Sequence, residues 1–555
     1  MTIQSVKNRP PVKGFVNVPA EALWLAENER SAARAEVDVV VENEEGRAWK
    51  IPAFHDGGRL MGFRFAAPAP GRYAWIVSGS FGETAPPSGA FDISPYTGDN
   101  PLYRHGRLHI AADRRHLEHA DGTPFFWLAD TWWTGLSTRC DWPRGFRTLA
   151  ADRLAKGFNT IQIVAGPHPD YCATTDAFNP QQGNEGGLSW FKKTDTCEFD
   201  CINPAYYRHA DDKIFALVEW GLMPCVFAMW GYYLPFMGVE NVKRHWRNLV
   251  ARYAALPVVW SLCGELDLPT YAWLDDKTRM DERRKTLREG WTEVARYLRA
   301  IEPYGTLTTA HPWCGVDTRE SLLDPSTYDF TMLQTGHGNQ EVLPSTLEQT
   351  RRFARRTPPL PTLNAEPCYE GIMGVAGAPV ARAAFWISML EGACGHTYGA
   401  QGIWGMNTRD NPFRGTTLNW GDGFWQDVMH YAGSADVGRA KRFLERWQWQ
   451  RLIPRDEPSV VAMNRPSSLA AEIPGELRVY YIPHSNLPAE MKGISAGGAA
   501  LAPLTLEPDT FRRAFFWNPR DNSETPPVSI LPDSSNLWTP PPRPSMEDWI
   551  LIVES

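Results

Sequence analysis

From residue 105 to residue 435 the chain repeats a two-part pattern, and this repetition constrains the fold more than any other feature. An apolar run that ends in polar or aromatic residues alternates with a stretch able to form a helix. The runs are Phe125–Asp130, Asn159–Val164, Leu222–Ala228, Val258–Glu265, Thr306–His311, Asp329–Gln334, Thr362–Glu366 and Gly395–Tyr398. Between them, Tyr206–Gly221, Arg244–Ala255, Arg288–Ile301, Thr346–Arg356 and Pro379–Gly392 carry apolar residues at three- and four-residue spacing, as amphipathic helices do. Strands alternating with helices predict a parallel sheet, and eight such units predict an α/β protein built on a (β/α)8 barrel with enlarged loops. The largest insertion follows the second run, from Gly166 to Ile202.

The flanks have a different texture. Before the barrel, Glu36–Val41, Met61–Phe65 and Tyr73–Val77 alternate with period two between Pro and Gly turns, which predicts a β-sandwich over residues 1–100. Pro95–Pro101 reads as a linker. After the barrel, short strands are expected at Val460–Met463, Leu477–Ile482, Ala514–Trp517 and Trp549–Val553. They predict a second sandwich over 446–555, leaving 101–445 to the barrel.

Composition excludes several classes of function. A formal net charge of -8 over 555 residues supplies no basic field for nucleic acid or an anionic membrane. No run approaches the ~20 apolar residues of a membrane span. Met1–Lys7 shows no apolar core with a cleavage site, so a cytoplasmic location is expected. Nine scattered cysteines suit free thiols in a reducing compartment. Cys197-x3-Cys201 and the His311/Cys314 group lack a four-ligand spacing, and no Gly-rich loop follows a strand, so neither metal nor cofactor is expected. The 24 tryptophans concentrate between Trp127 and Trp449. Flat amphipathic rings suit sugar faces, so this enrichment suggests carbohydrate.

In such a barrel the reacting groups lie at the carboxyl ends of the strands. Two runs end in glutamate: Val258–Glu265, the fourth, and Thr362–Glu366, the seventh. Two carboxyl groups facing across the mouth can protonate a leaving oxygen from one side and attack carbon from the other, as glycoside hydrolysis requires. A glutamate at a strand end can equally cap a helix or pair with an arginine. The other strand ends favour a sugar site: Asp130 and Trp133 after the first, Trp230 after the third, His311 and Trp313 after the fifth, Gln334 and His337 after the sixth, His396 in the eighth, with Trp404 beyond it. Trp rings can stack on sugar, and Asp, Gln and His can bind hydroxyls. Acids at strands four and seven resemble the arrangement of retaining glycosidases with this barrel.

Phe125–Trp133, Val258–Glu265 and Glu366–Gly371 together resemble the apiosidase-like glycoside hydrolases (family 140). Ile51–Gly58 resembles the amino-terminal sandwich that precedes that barrel, and Arg513–Arg520 with Asp548–Leu551 the collagen-binding-type sandwich that follows it. The resemblance implies Glu366 as nucleophile and Glu265 as acid/base, with Tyr369 beside the nucleophile. It implies apiose or another pentose as the sugar, cleaved from plant or microbial glycans by double displacement, while the enlarged loop at 166–202 would wall off one end of the mouth and favour release of a terminal sugar. One departure stands out: the family carries Gly-Gly-Asp where this chain has Cys263-Gly264-Glu265, one methylene longer. Three rival readings follow from the same residues. They are a binding protein with a degenerate barrel, an inverting glycosidase, and an enzyme using Glu370 or Asp130 in place of Glu366.

Overall fold

The computed structural model describes residues 12–34, 36–78, 86–169, 177–193, 198–269, 276–412, 423–456, 469–484, 503–508 and 510–555. Met1–Lys7, Cys197 and the expected strand Val460–Met463 lie outside the described residues. At the centre, eight parallel strands form a nearly closed barrel: β1 Trp127–Trp132, β2 Thr160–Val164, β3 Met223–Phe227, β4 Val259–Ser261, β5 Thr308–Thr309, β6 Thr331–Gln334, β7 Thr362–Glu366 and β8 Gly395–Tyr398. Each pairs with its sequence neighbour except β5 with β6, and β8 returns to β1. The β5–β6 seam is bridged instead by Asp329, whose N–H donates to the Thr308 carbonyl at 2.8 Å while its carboxylate accepts from the Thr308 N–H at 2.7 Å.

Helices ring the barrel: α1 Arg144–Lys156, α2 Pro204–Glu219, α3 Val239–Tyr253, α4 Lys277–Ile301, α5 Leu343–Ala354, α6 Ala378–Leu390 and α7 Ala432–Leu444. The periodic stretches identify α2 to α6 and leave out α1 and α7. The mean hydropathy of α1 is low because of its Arg and Lys residues, and its inner face is a short stripe of Phe146, Leu149 and Ala150 continued by buried Arg153.

The strands are buried from end to end, as sheets covered by helices are. Most tryptophans belong to this packing. Trp127, Trp132, Trp246, Trp260, Trp291 and Trp386 are fully buried; Trp246 of α3 meets Trp260 of β4 edge to face at 5.5 Å. Trp enrichment therefore reflects the core more than a sugar platform.

Sheets flank the barrel on both sides. At the amino end, Val12–Phe15, Ser88–Ser94, Gly71–Ser78, Asp38–Asn43 and Ala48–Pro52 form one sheet, and Pro19–Leu25, Leu60–Ala66 and Phe54–His55 another. They share a core of Val39, Val41, Phe63, Phe65, Trp75 and Phe91. At the carboxyl end a six-stranded antiparallel sheet centres on Leu477–Ile482, Trp549–Glu554 and Arg513–Trp517. A buried ion pair ties it to the barrel: Arg382 of α6 reaches Asp548, beside the strand Trp549–Glu554, at 2.8 Å, and is itself held by Asp436 of α7 at 2.6 Å.

Candidate active site

The catalytic candidates converge because β7 carries a bulge. Leu333 of β6 pairs with Asn364, but the next residue, Gln334, pairs with Glu366, so Ala365 is an extra residue. Asn364 points outward and donates to Ser388 of α6. Strict alternation would send Glu366 the same way. The bulge reverses it and aims the carboxylate into the mouth. The Ala365 carbonyl is held from inside the barrel by Gln162 Nε2 at 3.0 Å. Gln162 in turn accepts from Thr397, and Thr397 from Trp127.

Glu265 lies four residues beyond the end of β4, further along than the apolar run implies. Its φ of 44° places a non-glycine residue in the left-handed region, strain of the kind that collects at functional sites. Its neighbour explains the placement. A Cβ on Gly264 would lie 2.2 Å from Trp230 Cζ3 and 2.3 Å from Cε3, so only glycine admits the indole there. Trp230 then donates from Nε1 to Glu265 Oε2 at 2.9 Å.

One side-chain amide joins the two acids. Gln334 Nε2 lies 2.9 Å from Glu265 Oε1 and 3.1 Å from Glu366 Oε1, so these oxygens cannot be more than about 6 Å apart. Glu366 Oε1 also accepts from His337 Nε2 at 2.8 Å, and its Oε2 is 3.2 Å from His311 Nε2. The Glu265 backbone N–H points at His311 Nδ1 at 3.4 Å. With its lone pair on Nδ1, His311 would carry its proton on Nε2, the nitrogen nearest Glu366, at charge–charge distance but outside good hydrogen-bond geometry.

These surroundings drive the two carboxyl groups apart. Burial and the charge of Glu366 raise Glu265, outweighing the donors Gln334 and Trp230. Burial also pushes on Glu366, but His311 and His337 win and hold it at about 2. The shifts run in opposite directions, so Glu265 is the group that holds its proton more tightly and Glu366 the one that is more readily ionised.

An aromatic shell completes the site. Trp133 stands edge to face against Trp230 at 5.3 Å and His311 at 5.9 Å, and its Nε1 donates to the Tyr369 hydroxyl at 3.0 Å. Burial and Glu366 push that hydroxyl well above its usual value, so it remains a donor beside the carboxylate. The Tyr369 ring lies where a Cβ on Gly399 would be 2.1 Å away. Asp267, not anticipated from sequence, joins the loops after β4 and β5 to a helix: it accepts from Arg288 of α4 at 2.6 Å and from the Trp313 N–H at 3.0 Å. Its only sequence signal is its position two residues after Glu265.

The structure thus brings together Glu265, Glu366, Gln334, His311, His337, Trp133, Trp230 and Tyr369. It does not bring Asp130 or His396 to them. Asp130 faces outward and is fully buried, accepting from Arg153 Nε of α1 at 2.6 Å and Trp132 Nε1 at 2.9 Å. His396 packs on Phe385 of α6 at 5.4 Å, and burial lowers it to about 3. Both sit on outward positions of their strands, and strand alternation excludes them from the mouth. Trp313 and Trp404 are half-buried in loops at this end; Trp313 lies against Arg284, and Trp404 donates to Gln401. Neither contacts the carboxylates. Glu370, the rival nucleophile, accepts from Tyr398 at 2.6 Å and from the Gly433 N–H of α7, away from the network. Trp190, in the long insertion after β2, donates from Nε1 to His245 Nδ1 of α3 at 2.8 Å. Among the described residues no group of three His, Cys, Asp or Glu side chains could hold a metal ion, and no helix is long and apolar enough to cross a membrane.

A family profile described as the apiosidase-like catalytic domain matches residues 111–451. The chain belongs to the apiosidase-like family. It is accordingly a glycoside hydrolase with a carbohydrate substrate. No functionally curated protein matches it in sequence. Among solved structures, a candidate glycoside hydrolase from Bacteroides vulgatus superimposes with a TM-score of 0.70 at 14% identity, covering 98% of this chain and 100% of its own. A glycoside hydrolase family 5 protein of the same organism gives 0.61 at 19%, covering 82% of this chain and 95% of its own. Another glycoside hydrolase gives 0.61 at 20%, covering 82% and 98%. At these identities the likeness extends to the fold, so the apiosidase-like site rests on its own geometry.

Proposed function

We propose that the protein is a retaining, exo-acting glycoside hydrolase that releases one terminal sugar, apiose or another pentose, from plant or microbial glycans. One observation carries the reading: a single amide nitrogen touches both carboxyl groups. The limit of about 6 Å that follows suits the roughly 5–5.5 Å separation of retaining enzymes and leaves too little room for the interposed water of inverting ones, at roughly 6.5–9.5 Å.

In the first step Glu366 attacks the anomeric carbon as the bond to the leaving oxygen breaks, and that oxygen takes the proton of Glu265. The charge of Glu366 is then lost in the ester. With it goes one cause of the raised affinity of Glu265 for a proton, so Glu265 becomes the base that draws a proton from water in the second step. The opposite shifts of the two groups support these roles. His311, His337 and Tyr369 hold the nucleophile ionised and in place.

Exo action is supported by the depth of the carboxyl groups, each only 4% exposed. Such a recess suits a chain end better than an internal residue. A pentose is supported by the family alone, and Glu265 in place of the shorter acid puts the proton donor one methylene further out. The test is proton NMR of the first-formed product from a panel of 4-nitrophenyl furanosides and pyranosides. Retention of anomeric configuration is expected. Inversion, or oligosaccharides as the first products from a polymer, would overturn the corresponding part.

A further inference from the structure

We infer that Gln334 is a positioning residue that serves both chemical steps, passing the weight of its hydrogen bonding from Glu366 to Glu265 as charge moves between them. The inference rests on the double-displacement reading above. Its basis is that Gln334 Nε2 has two hydrogens and two carboxyl oxygens in reach, Glu265 Oε1 at 2.9 Å and Glu366 Oε1 at 3.1 Å. The bulge at Ala365 sets Glu366 directly opposite Gln334. The amide oxygen is buried and finds no hydrogen-bond partner among the described residues, so the hydrogen bonds that orient the amide there are those to the two acids.

Before reaction Glu366 is the anion and by charge the better acceptor, while the amide stands about equally near both acids, 3.1 Å from Glu366 and 2.9 Å from Glu265. When the glycosyl–oxygen bond to Glu366 forms and the bond to the leaving group breaks, the proton of Glu265 departs with the leaving oxygen. The charge has then crossed from one end of the Gln334 amide to the other. Glu366 is a neutral ester and a weaker acceptor, and Gln334 stabilises the new carboxylate of Glu265. When water attacks, its proton goes to Glu265, the ester bond to Glu366 breaks and the starting arrangement returns. No donor has to enter or leave the site. Gln334 would then act through the carboxyl groups, a different role from the direct sugar contact expected of it from sequence.

Other titratable groups face the pair. His311 from the end of β5 and His337 from the loop after β6 face Glu366. Tyr369 from the loop after β7 lies close enough to feel the charge of Glu366, and Cys314 is near enough to respond to both acids. Asp267, two residues from Glu265, is paired with Arg288. Gln334 is the side chain that donates to both acids, and its donation favours ionised Glu265. Removing it should raise the pKa of Glu265. The alkaline limb of kcat/KM, where Glu265 loses its proton in the free enzyme, should move to higher pH.

The test is the full chain carrying Gln334→Met, which keeps length and volume without the donors, assayed on a 4-nitrophenyl glycoside that the wild-type enzyme hydrolyses. The alkaline limb should rise by about one pH unit. kcat/KM should fall roughly 10- to 100-fold, because both transition states lose the donor to the charge developing on Glu265. The fall should be larger for aryl glycosides with poor leaving groups than for 4-nitrophenyl ones, because a Glu265 that holds its proton more tightly is the weaker acid. If Gln334→Met does not fold, Gln334→Asn, too short to span both acids, is read by the same three measurements. A lower kcat/KM with the alkaline limb unmoved and equal losses on good and poor leaving groups would overturn the role of Gln334. Inversion by the wild-type enzyme would overturn the double displacement beneath it, so the two failures are distinct.

Discussion

Adding a single methyl group at Gly264 should disable the acid without touching it. The new Cβ would sit 2.2–2.3 Å from two carbons of the Trp230 ring. Carbon pairs rest at about 3.5–4.0 Å, so the indole must retreat by about 1 Å or more. Behind it stands Trp133, with ring centroids 5.3 Å apart, so the retreat cannot be made freely. The 2.9 Å hydrogen bond from Trp230 Nε1 to Glu265 would not survive such a shift. Overpacking of this kind costs about 1–3 kcal/mol of stability. A lost hydrogen bond to a charged group is worth about 1.5–3 kcal/mol, or roughly a 10- to 100-fold fall in kcat/KM if it acts in the transition state. The Trp230 donor favours ionised Glu265. Its loss should therefore raise the Glu265 pKa and carry the alkaline limb to higher pH. Thermal melts and a pH series on Gly264→Ala measure both effects. Trp230→Phe should reproduce the activity loss, and the double variant should add little to it, because both changes remove one interaction. Wild-type kcat/KM in Gly264→Ala would refute the steric argument and the role given to Trp230.

Other substitutions separate chemistry from scaffold. Glu265→Ala should slow substrates with poor leaving groups by several orders of magnitude more than activated aryl glycosides, and azide should restore turnover; equal losses on both kinds would make Glu265 structural. Asp130→Asn should lower stability by about 3 kcal/mol, since it leaves buried Arg153 with Asp152 as its remaining carboxylate partner. Its kcat/KM below the melting transition should stay within a few-fold of wild type. A large activity loss in a stably folded Asp130→Asn protein would instead return Asp130 to the sugar site.

The parts of this fold that follow from periodicity were legible in the chain. Thr362–Glu366 and Gly395–Tyr398 are strands over the residues expected from sequence, because short apolar runs between turn signals have few other places to go. The apiosidase-like motifs likewise point to Glu265 and Glu366, which the structure joins through Gln334. What the sequence hides is direction. Asp130 and His396 lie in barrel strands but face the helices, and one residue of register decides which way a strand side chain points. Glu366 escapes the same fate only through the extra residue at Ala365, and a bulge leaves no mark in an apolar run. Arg153 was illegible for another reason: it pairs with Asp130 across 23 positions, a contact that only tertiary packing creates. Gly264 and Gly399 resemble ordinary turn glycines until the rings of Trp230 and Tyr369 are placed beside them.

The central claim is that Glu366 forms a covalent bond to the sugar. A 2-deoxy-2-fluoro glycoside with an activated leaving group, matched to the preferred sugar, slows both steps but the second more. Incubated with the full chain, it should add one fluoroglycosyl mass to the intact protein. Peptide fragmentation should place that mass on Glu366, and the label should be absent from Glu366→Gln. Full turnover of the natural substrate with no adduct under any conditions, or a label on Glu265 or Glu370, would contradict the account.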